Sequence, residues 1–334
     1  MEGIGVRDIY LPIDNFITYK RVNSIPVILS EVESPDYTIF IPTYKRASTL
    51  KTTIESAINQ ECTENYEIVI INNDPEGVNG ETRELIESFR DKRISYYVNE
   101  ENIGLCGNWN RGVELSRGRY ISMIHDDDML SPWFLSSVVR AIRENENPLV
   151  IGVSFFNFDS SHMPQFKAPE QSGYRVVTKK SFFFGRYINI AGMTVKREFI
   201  LQQGGYRDEY YPNEDSILIY QAVMSGKVIN IEHELAGYRQ EVNLSLSEKT
   251  MREIILKTEE TRRMIAKHEG FADRWMRRFD REYLYSYIET ANRHWNHSMD
   301  WKELMKECGF EKPGISRFKL KMMNALLKLE RRRR

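Results

Sequence analysis

Three consecutive carboxylates follow a short apolar run and form the segment with the most evident chemistry. His125, Asp126, Asp127 and Asp128 come directly after the strand-like residues 119–124. Adjacent carboxylates repel one another, and each raises the pKa of its neighbours unless a cation is shared. Their hard oxygen ligands suit Mg²⁺ or Mn²⁺, which are commonly held by one or two carboxylates together with substrate phosphates. The alternative is a solvated acidic turn ahead of a helix.

A second pair of carboxylates opens a predicted helix further along the chain. Glu214 and Asp215 follow the segment Tyr211-Pro212-Asn213. A carboxylate in this position could act as a general base, if it lies within hydrogen-bond reach of an acceptor hydroxyl. The alternative is that Asn213 caps the helix and that the two acids stabilise its positive N-terminal end.

A third group of polar residues consists of amides between a predicted strand and a predicted helix. Asn102-Ile103-Gly104 is followed by Asn108 and Asn110. Side-chain amides carry both donors and acceptors, so these residues could read a nucleobase or a ribose. The same residue types also make ordinary turns and caps, so this motif alone does not decide between the two roles.

Strand and helix patterns alternate along the chain and place these polar residues at the ends of predicted strands. Short β-rich apolar runs are typical of buried parallel strands, and Ser131-Pro132 is a strong helix start. The predicted strands cover residues 37–41, 67–71, 94–98, 119–124, 149–155, 193–195 and 228–231, and the predicted helices cover 48–58, 105–115, 131–143 and 214–224. This order predicts an α/β fold with a mostly parallel, Rossmann-like sheet flanked by helices, in which ligands bind at the carboxyl ends of the strands.

Composition excludes several other classes of protein. The 334 residues are 41% hydrophobic and 28% charged, as in ordinary globular proteins, and we expect no membrane-spanning helix and no secretory signal peptide. The cysteines, Cys62, Cys106 and Cys308, are too far apart for a disulfide framework or a CxxC zinc site. A dinucleotide-dependent oxidoreductase would need a G-x-G-x-x-G turn after the first strand, where Pro42-Thr43-Tyr44-Lys45 stands instead.

Taken in order, these segments resemble the inverting glycosyltransferases of family 2, which have the GT-A fold. The resemblance covers roughly residues 36–247. It rests on Tyr37–Arg46, Ser56–Gln60, Glu67–Asp74, Asn102–Asn108, Gly118–Ile121 leading into the acidic cluster, Gly204–Glu209, Glu214-Asp215 and Tyr238-Arg239. No single motif is decisive, but their order and spacing are specific.

The resemblance implies a role for each matching residue. The residues that would bind the nucleotide-sugar donor are Pro42, Thr43, Tyr44, Arg46, Asn73, Asn102, Asn108 and Asp126. Asp127 would ligate the metal ion, Mn²⁺ or Mg²⁺, with Asp128 as the second candidate ligand. Asp215 would be the general base, with Glu214 beside it.

The sequence also departs from the family pattern at three places. Asn73 stands where the family usually has an Asp that reads the base, often uracil, so the base preference stays open. His125 replaces the Asp that commonly opens the acidic motif, and we expect a structural role for it, with donor contact as the alternative. Gln240-Glu241 follow Tyr238-Arg239, where the family often has a His.

The activity implied by the resemblance is the transfer of one sugar, a hexose or an N-acetylhexosamine, from a nucleotide-sugar. We expect a UDP-sugar donor and a glycan acceptor, lipid-linked, in the synthesis of a surface polysaccharide such as capsule, O-antigen or exopolysaccharide. Asp215 would deprotonate the acceptor hydroxyl, and one displacement would invert the anomeric centre. The alternative is a catalytically inactive module that binds a nucleotide-sugar or a glycan.

The C-terminal part of the chain has a different charge from the rest. Residues 251–334 carry 21 Lys and Arg but 13 Asp and Glu. We predict an N-terminal extension at residues 1–35, a GT-A domain at 36–247 and a helical region at 248–334. The last helix, from Arg317, is basic and amphipathic, so we expect it to bind an anionic membrane surface.

The expected location is therefore cytoplasmic, peripheral at the inner face of the cell membrane. The alternative is that the last helix packs on the body of the protein through Leu320, Met323 and Leu327. We expect no nucleic-acid partner, because the tail lacks a recognisable DNA- or RNA-binding motif and the rest of the chain is acidic.

Overall fold

The computed structural model describes residues 13–170, 173–179, 188–241, 247–268, 277–312 and 314–332. Within these ranges the chain forms one ten-stranded sheet. Its strands are β1 (Ser24–Ile28), β2 (Tyr37–Thr43), β3 (Tyr66–Asn72), β4 (Ile94–Asn99), β5 (Tyr120–Met123), β6 (Met129–Leu130), β7 (Val150–Phe158), β8 (Tyr174–Val176), β9 (Met193–Lys196) and β10 (Val228–Arg239).

Helices lie between the strands and make up the C-terminal part of the chain. In the described ranges the α-helices are α1 (Ala47–Ile58), α2 (Glu81–Phe89), α3 (Gly104–Leu115), α4 (Phe134–Glu144), α5 (Arg197–Gln202), α6 (Glu214–Ser225), α7 (Glu248–His268), α8 (Asp280–Trp295), α9 (Trp301–Glu307) and α10 (Arg317–Arg332). Short 3₁₀ turns lie at Asn15–Tyr19, Pro75–Val78, Asp208–Tyr210 and Arg277–Phe279.

The sheet has the strand order β1-β4-β3-β2-β5-β9-β7-β10-β6, and β8 pairs with β10. Strand β2 lies parallel to β3 and β5, β3 is parallel to β4, and β7 is parallel to β10. Because β9 is antiparallel to both β5 and β7, the six strands β2, β3, β4, β5, β7 and β10 point in one direction. The predicted mostly parallel α/β sheet flanked by helices is confirmed.

The apolar runs form strands because both faces of the sheet are covered. Ile39 and Ile41 of β2 pack into one buried cluster with Ile54 of α1. The alternate residue Phe40 points to the other face, where it packs with Val113 of α3. Gly112 allows this close approach, since a Cβ there would lie 2.2 Å from the Phe40 ring.

The parallel strands end together at one edge of the sheet. Strand β2 ends at Thr43, β3 at Asn72, β4 at Asn99 and β5 at Met123. All three polar groups singled out in the sequence follow one of these ends or open α6. The fold therefore gathers them on the side of the sheet where α/β proteins bind their ligands.

Part of the N-terminal segment predicted as an extension belongs to the sheet. Residues 24–28 form β1, which pairs antiparallel with the edge strand β4. Ahead of β1, the backbone N–H of Asn15 donates to the carbonyl of Gly204 at 3.0 Å. Residues 13–35 thus cover the sheet edge and contact the loop before α6, while residues 1–12 lie outside the described ranges.

The C-terminal helices have a buried core of their own. Met251 and Ile255 of α7 pack against Leu284 and Ile288 of α8. Helix α10 buries Met323, so its first half packs on the body. Met323 is one of the residues named above for the alternative in which this helix packs on the protein. Among the described residues no helix is long and apolar enough to cross a membrane.

The exposed side of α10 nevertheless carries large apolar side chains. Phe318 is 75% exposed and Met322 is 40% exposed. The two residues are four apart, so they lie on one face of the helix. Helix α10 therefore packs on the body through one side and exposes large apolar side chains on another.

Candidate active site

The acidic cluster forms a tight turn between β5 and β6. The backbone N–H of Asp128 donates to the carbonyl of His125 at 3.2 Å. Arg239, at the end of β10, holds the turn from one side: its backbone N–H donates to Asp128 Oδ1 at 2.9 Å, and its Nε donates to the Asp127 carbonyl at 2.8 Å. The Thr53 hydroxyl of α1 donates to the Asp128 carbonyl from the other side.

Arg46 neutralises part of the negative charge on this turn. Its Nη1 lies 2.7 Å from Asp127 Oδ2 and 3.4 Å from Asp126 Oδ1. Burial raises the pKa of Asp126 to about 6, and Arg46 opposes this rise. Burial, and then the charge of Asp127, raise the pKa of Asp128 well above its usual range. The charges of Arg46 and Arg239 thus only partly offset the burial and mutual repulsion of the carboxylates.

The turn has the donor set and the spare atoms that a divalent cation needs. Ligand atoms of His125, Asp127 and Asp128 lie within 4.8 Å of one another. Asp128 Oδ2 is buried and has no hydrogen-bond partner in the described part of the chain. Carboxylate oxygens are the ligands preferred by Mg²⁺ and Mn²⁺. Asp127 and Asp128, the ligands predicted from the sequence, therefore fit such an ion.

His125 packs against an aromatic ring beside the turn. Its imidazole stacks on Trp109 with ring centroids 5.6 Å apart and 23° between the planes. Burial lowers the pKa of His125, so the ring is uncharged at neutral pH. Its Nδ1 lies 3.7 Å from Asp128 Oδ2, beyond hydrogen-bond range. These contacts agree with the structural role expected for His125, and its place in the cavity wall also keeps the alternative of donor contact open.

The amide residues form a hydrogen-bonded network at the ends of β3 and β4. Asn73 Nδ2 donates to Asn102 Oδ1 and to the Gly104 carbonyl, both at 3.0 Å. Asn73 Oδ1 accepts from Asn99 Nδ2 and from the Ile103 N–H, both at 3.0 Å. All four hydrogen-bonding positions of the Asn73 amide are thus occupied within the protein.

Asn108 and Asn99 extend this network toward α3. Asn99 Nδ2 also donates to Asn108 Oδ1 at 2.9 Å, and Asn108 Nδ2 donates to the Ile71 carbonyl at 3.3 Å. Sequence reasoning missed Asn99, although an amide at the last position of a strand was a usable signal. A ligand that reads the Asn73 side chain must displace one of its four internal hydrogen bonds.

Glu214 and Asp215 begin α6 and lie in the same cavity as the acidic turn. Asp215 Oδ1 accepts hydrogen bonds from the backbone N–H of Ser216 at 2.6 Å and from its hydroxyl at 3.3 Å. Glu214 Oε2 is buried and has no partner among the described residues. Burial, and then the charge of Asp215, raise the pKa of Glu214 to about 8.

The two acids of this pair have different partners. Burial also raises the pKa of Asp215, but the hydrogen bonds from Ser216 oppose the rise. Hydrogen bonds to a carboxylate favour its charged form. The hydrogen bonds from Ser216 therefore favour the ionised form of Asp215, whereas Glu214 Oε2 has no such donor among the described residues.

One cavity of about 400 Å³ unites almost all of the residues predicted from the sequence. Those in its wall are Pro42, Thr43, Tyr44, Arg46, Asn73, Asn102, Asn108, Asp126, Asp127, Glu214 and Asp215. Asp128 is the exception, since it is 1% exposed and does not line the cavity. The carboxyl ends of β2, β3 and β5 thus face the start of α6 across this space.

Other residues line the cavity without having been assigned a role from the sequence. Trp109 and Ile190 contribute apolar wall, and Tyr211 stands ahead of the acid pair. Thr250 and Ile254 come from α7, beyond the boundary predicted at residue 247. No sequence signal marked these two residues, because they differ in no way from other positions of an amphipathic helix.

Residues 38–205, half of the chain, match the family model described as "Glycosyl transferase family 2". The chain therefore belongs to glycosyltransferase family 2, as the order of its motifs indicated. The expected GT-A fold is confirmed by likeness to solved structures. Residues 1–37 and those after 205 lie outside the matched range, including Glu214 and Asp215.

Among curated relatives, the chain is 22% identical over 188 residues to the GalNAc(5)-diNAcBac-PP-undecaprenol beta-1,3-glucosyltransferase of Campylobacter jejuni. That match covers 55% of this chain and 59% of the relative, so the chain spans about three fifths of the relative's length.

Two solved structures share the fold at low sequence identity. TarS 1–349 of Staphylococcus aureus in complex with UDP has a TM-score of 0.54 and 16% identity, with 79% of this chain and 72% of that chain covered. The mannosyltransferase PcManGT of Pyrobaculum calidifontis, in complex with GDP-Man and Mn²⁺, has a TM-score of 0.50 and 12% identity, with 95% and 90% covered.

The acidic turn can be tested for metal binding without any substrate. We expect the protein to bind Mn²⁺, and Asp127→Asn to weaken this binding at least tenfold because a charged oxygen ligand is lost. Loss of the free Mn²⁺ signal in electron paramagnetic resonance measures the binding. Asp74→Asn is the matched control, since Asp74 follows a neighbouring strand and lies outside the cavity wall. Equal affinities in the two variants would contradict the ligand assignment.

Proposed function

We propose that the protein is a metal-dependent inverting glycosyltransferase that moves one hexose or N-acetylhexosamine from a UDP-sugar to a hydroxyl of a lipid-linked glycan. The observation that carries this proposal is the single cavity in which the acidic turn faces the Glu214–Asp215 pair. Displacement with inversion needs a stabilised leaving group on one side of the sugar and a base on the other. The cavity supplies both, and family membership supports the reaction class.

Asp215 is proposed as the general base. Ser216 orients its Oδ1 at 2.6 Å and leaves Oδ2 to accept the proton of the acceptor hydroxyl. The acceptor oxygen then attacks the anomeric carbon as the bond to the nucleotide phosphate breaks. Glu214 keeps the pair at a single negative charge, because two adjacent buried carboxylates do not both ionise at neutral pH.

The opposite wall is proposed to hold the donor. Arg46 is positioned to pass from Asp126 and Asp127 to the donor phosphates, and Asp126 to contact the ribose or the sugar. Asp127 and Asp128 would hold the Mn²⁺ or Mg²⁺, which neutralises charge on the leaving diphosphate as a Lewis acid. The complex of PcManGT with GDP-Man and Mn²⁺ supports a metal in this fold.

The roles of Asp215 and Glu214 can be separated by their pH dependence. We expect Asp215→Asn to lower kcat by about 10²–10⁴, the usual contribution of a general base, and to leave nucleotide affinity unchanged. A base acts only when deprotonated, so wild-type kcat/KM falls as the pH drops through the raised pKa of the pair. Below about pH 8 Glu214 is already protonated, so Glu214→Gln removes no charge there and should leave this acid limb in place.

Both measurements use initial rates of nucleoside diphosphate release, with nucleotide affinity determined by calorimetry. Ser216→Ala is an informative companion, because it removes one hydrogen bond to Asp215 and leaves the carboxylate in place. Equal loss of turnover and of nucleotide binding in Asp215→Asn would disprove its assignment as the base.

The proposed donor is supported by the UDP bound to TarS, while Asn73, in place of the family's usual Asp, leaves the base preference to be measured. We expect UDP with Mn²⁺ to raise Tm by a few degrees, since a ligand that binds only the folded state stabilises it. GDP, CMP and dTDP should give smaller shifts, and EDTA should reduce the UDP shift. A larger Tm shift with GDP or dTDP than with UDP would contradict the UDP proposal. If none of the four nucleotides shifted Tm, the alternative of an inactive binding module would be favoured.

The proposed acceptor is lipid-linked, which requires the enzyme to work at a membrane. The name of the Campylobacter jejuni relative contains an undecaprenol-linked acceptor, and this supports the choice. In this chain the exposed Phe318 and Met322 lie on a helix that also carries Arg317, Lys319 and Lys321. Apolar and basic side chains together suit the interface of an anionic membrane.

Membrane association through α10 predicts a loss of vesicle binding when its exposed apolar face is made polar. We expect the double variant Phe318→Ser and Met322→Ser to bind vesicles that contain phosphatidylglycerol at least tenfold more weakly than the wild type. Leu29→Ser is the control, because Leu29 is 62% exposed and lies far along the chain from α10. Co-sedimentation measures the binding, and an unchanged affinity of the double variant would exclude α10 as the anchor.

A further inference from the structure

A second cavity, of about 780 Å³, lies among the C-terminal helices. Its wall includes Arg263 of α7, Arg278 and Arg281 around the start of α8, Phe310 after α9 and Lys319 of α10. We call these five residues and the space between them the C-terminal groove. None of its lining residues also lines the candidate active site.

The groove has more positive than negative charge available to a ligand. Two acids also line it: Asp280 pairs with Arg262 at 3.1 Å, and Glu282 Oε1 accepts from the N–H of Ser316, another wall residue, at 3.1 Å. Of the groove cations, Arg263 is paired with Glu259 at 2.9 Å. Arg278 and Arg281 have no ion pair within the described ranges. Cations gathered without counter-charges repel one another, and an anion between them relieves the repulsion.

Neighbouring groups hold the cationic side chains at the groove. The guanidinium carbons of Arg263 and Arg281 lie 5.4 Å and 5.7 Å from the centre of the Phe310 ring, within cation–π range. Lys319 Nζ donates to the Arg278 carbonyl at 3.2 Å. Planar guanidinium groups present paired N–H donors that match phosphate oxygens. The groove thus has the chemistry of a phosphoryl site.

The position of the groove indicates where its ligand comes from. Lys319 in its wall directly follows Phe318, which is 75% exposed, and Met322 is exposed one turn further along α10. Because residues three apart are neighbours on a helix surface, a ligand at Lys319 lies close to the exposed side chain of Met322. This combination suits a molecule with a phosphoryl group joined to a hydrocarbon chain.

We propose that the C-terminal groove binds the phosphoryl group of a membrane lipid while Phe318 and Met322 enter the apolar layer. The ligand is either the phosphodiester of an anionic phospholipid or the diphosphate of a lipid-linked acceptor. The proposal rests on the proposed membrane association and assigns a specific site to it. It requires only Arg278, Arg281 and Lys319 to contact phosphate oxygens, and no covalent step.

The test uses the full chain and the double variant Arg278→Gln and Arg281→Gln, which changes two exposed residues. The matched control is Arg293→Gln with Lys306→Gln, which removes the same charge from exposed positions of α8 and α9 outside the groove. Circular dichroism establishes that both variants fold. Vesicles of phosphatidylcholine alone, with phosphatidylglycerol, or with a polyprenyl diphosphate are compared in EDTA, with inorganic pyrophosphate as competitor.

We expect the groove variant to bind at least one of the two anionic vesicles, with phosphatidylglycerol or with polyprenyl diphosphate, tenfold more weakly, with the control within about twofold of the wild type. Pyrophosphate should displace the wild type and not the groove variant. A loss confined to phosphatidylglycerol identifies the phospholipid as the ligand, and a loss confined to polyprenyl diphosphate identifies the acceptor.

Equal weakening of the groove variant and its control, or no weakening in either, would overturn the groove as a site. In that case binding that still depends on Phe318 and Met322 would leave the proposed membrane association intact. A wild-type protein that binds none of the vesicles would overturn both proposals.

Discussion

The attachment of the acidic turn to Arg239 is the interaction on which the rest of the site depends. Three consecutive buried carboxylates are unfavourable, because burial and mutual repulsion both oppose their charges. Arg239 brings a backbone N–H to Asp128 and its guanidinium to the Asp127 carbonyl, so strand β10 fixes the turn at the end of β5. The turn can then remain deficient in positive charge, which makes it a place for a cation.

The same electrostatic rule explains the opposite wall of the cavity. Glu214 and Asp215 are also adjacent and buried. There, burial and the charge of Asp215 raise the pKa of Glu214 to about 8, which favours its protonated form at neutral pH. In the acidic turn burial raises the pKa of Asp126, and Arg46 opposes this rise. Burial thus opposes full ionisation in both acid clusters, the acidic turn and the Glu214–Asp215 pair.

Much of this could be predicted from the sequence, because the central strands are continuous apolar runs and their ends carry polar clusters. The strand predicted at 67–71 is Tyr66–Asn72, and the helix predicted at 214–224 is Glu214–Ser225. Strand β1 was not predicted, because it is an edge strand that contains Pro26 and its side chains do not alternate between buried and exposed. Two features of the site could not be predicted: Arg46 pairs with two aspartates, and every hydrogen-bonding position of the Asn73 amide is occupied. Both depend on distances in the folded chain, which residue spacing does not show.

Helix α7 is shared by two parts of the molecule. Thr250 and Ile254 face the cavity, whereas the neighbouring Met251 and Ile255 lie in the core of the C-terminal helices. One part of the cavity wall thus comes from the strand ends of the sheet, and another part comes from a helix whose opposite side lies in a separate core. A substitution in the core of the C-terminal helices that shifts α7 would therefore change the shape of the cavity without touching any residue of the sheet.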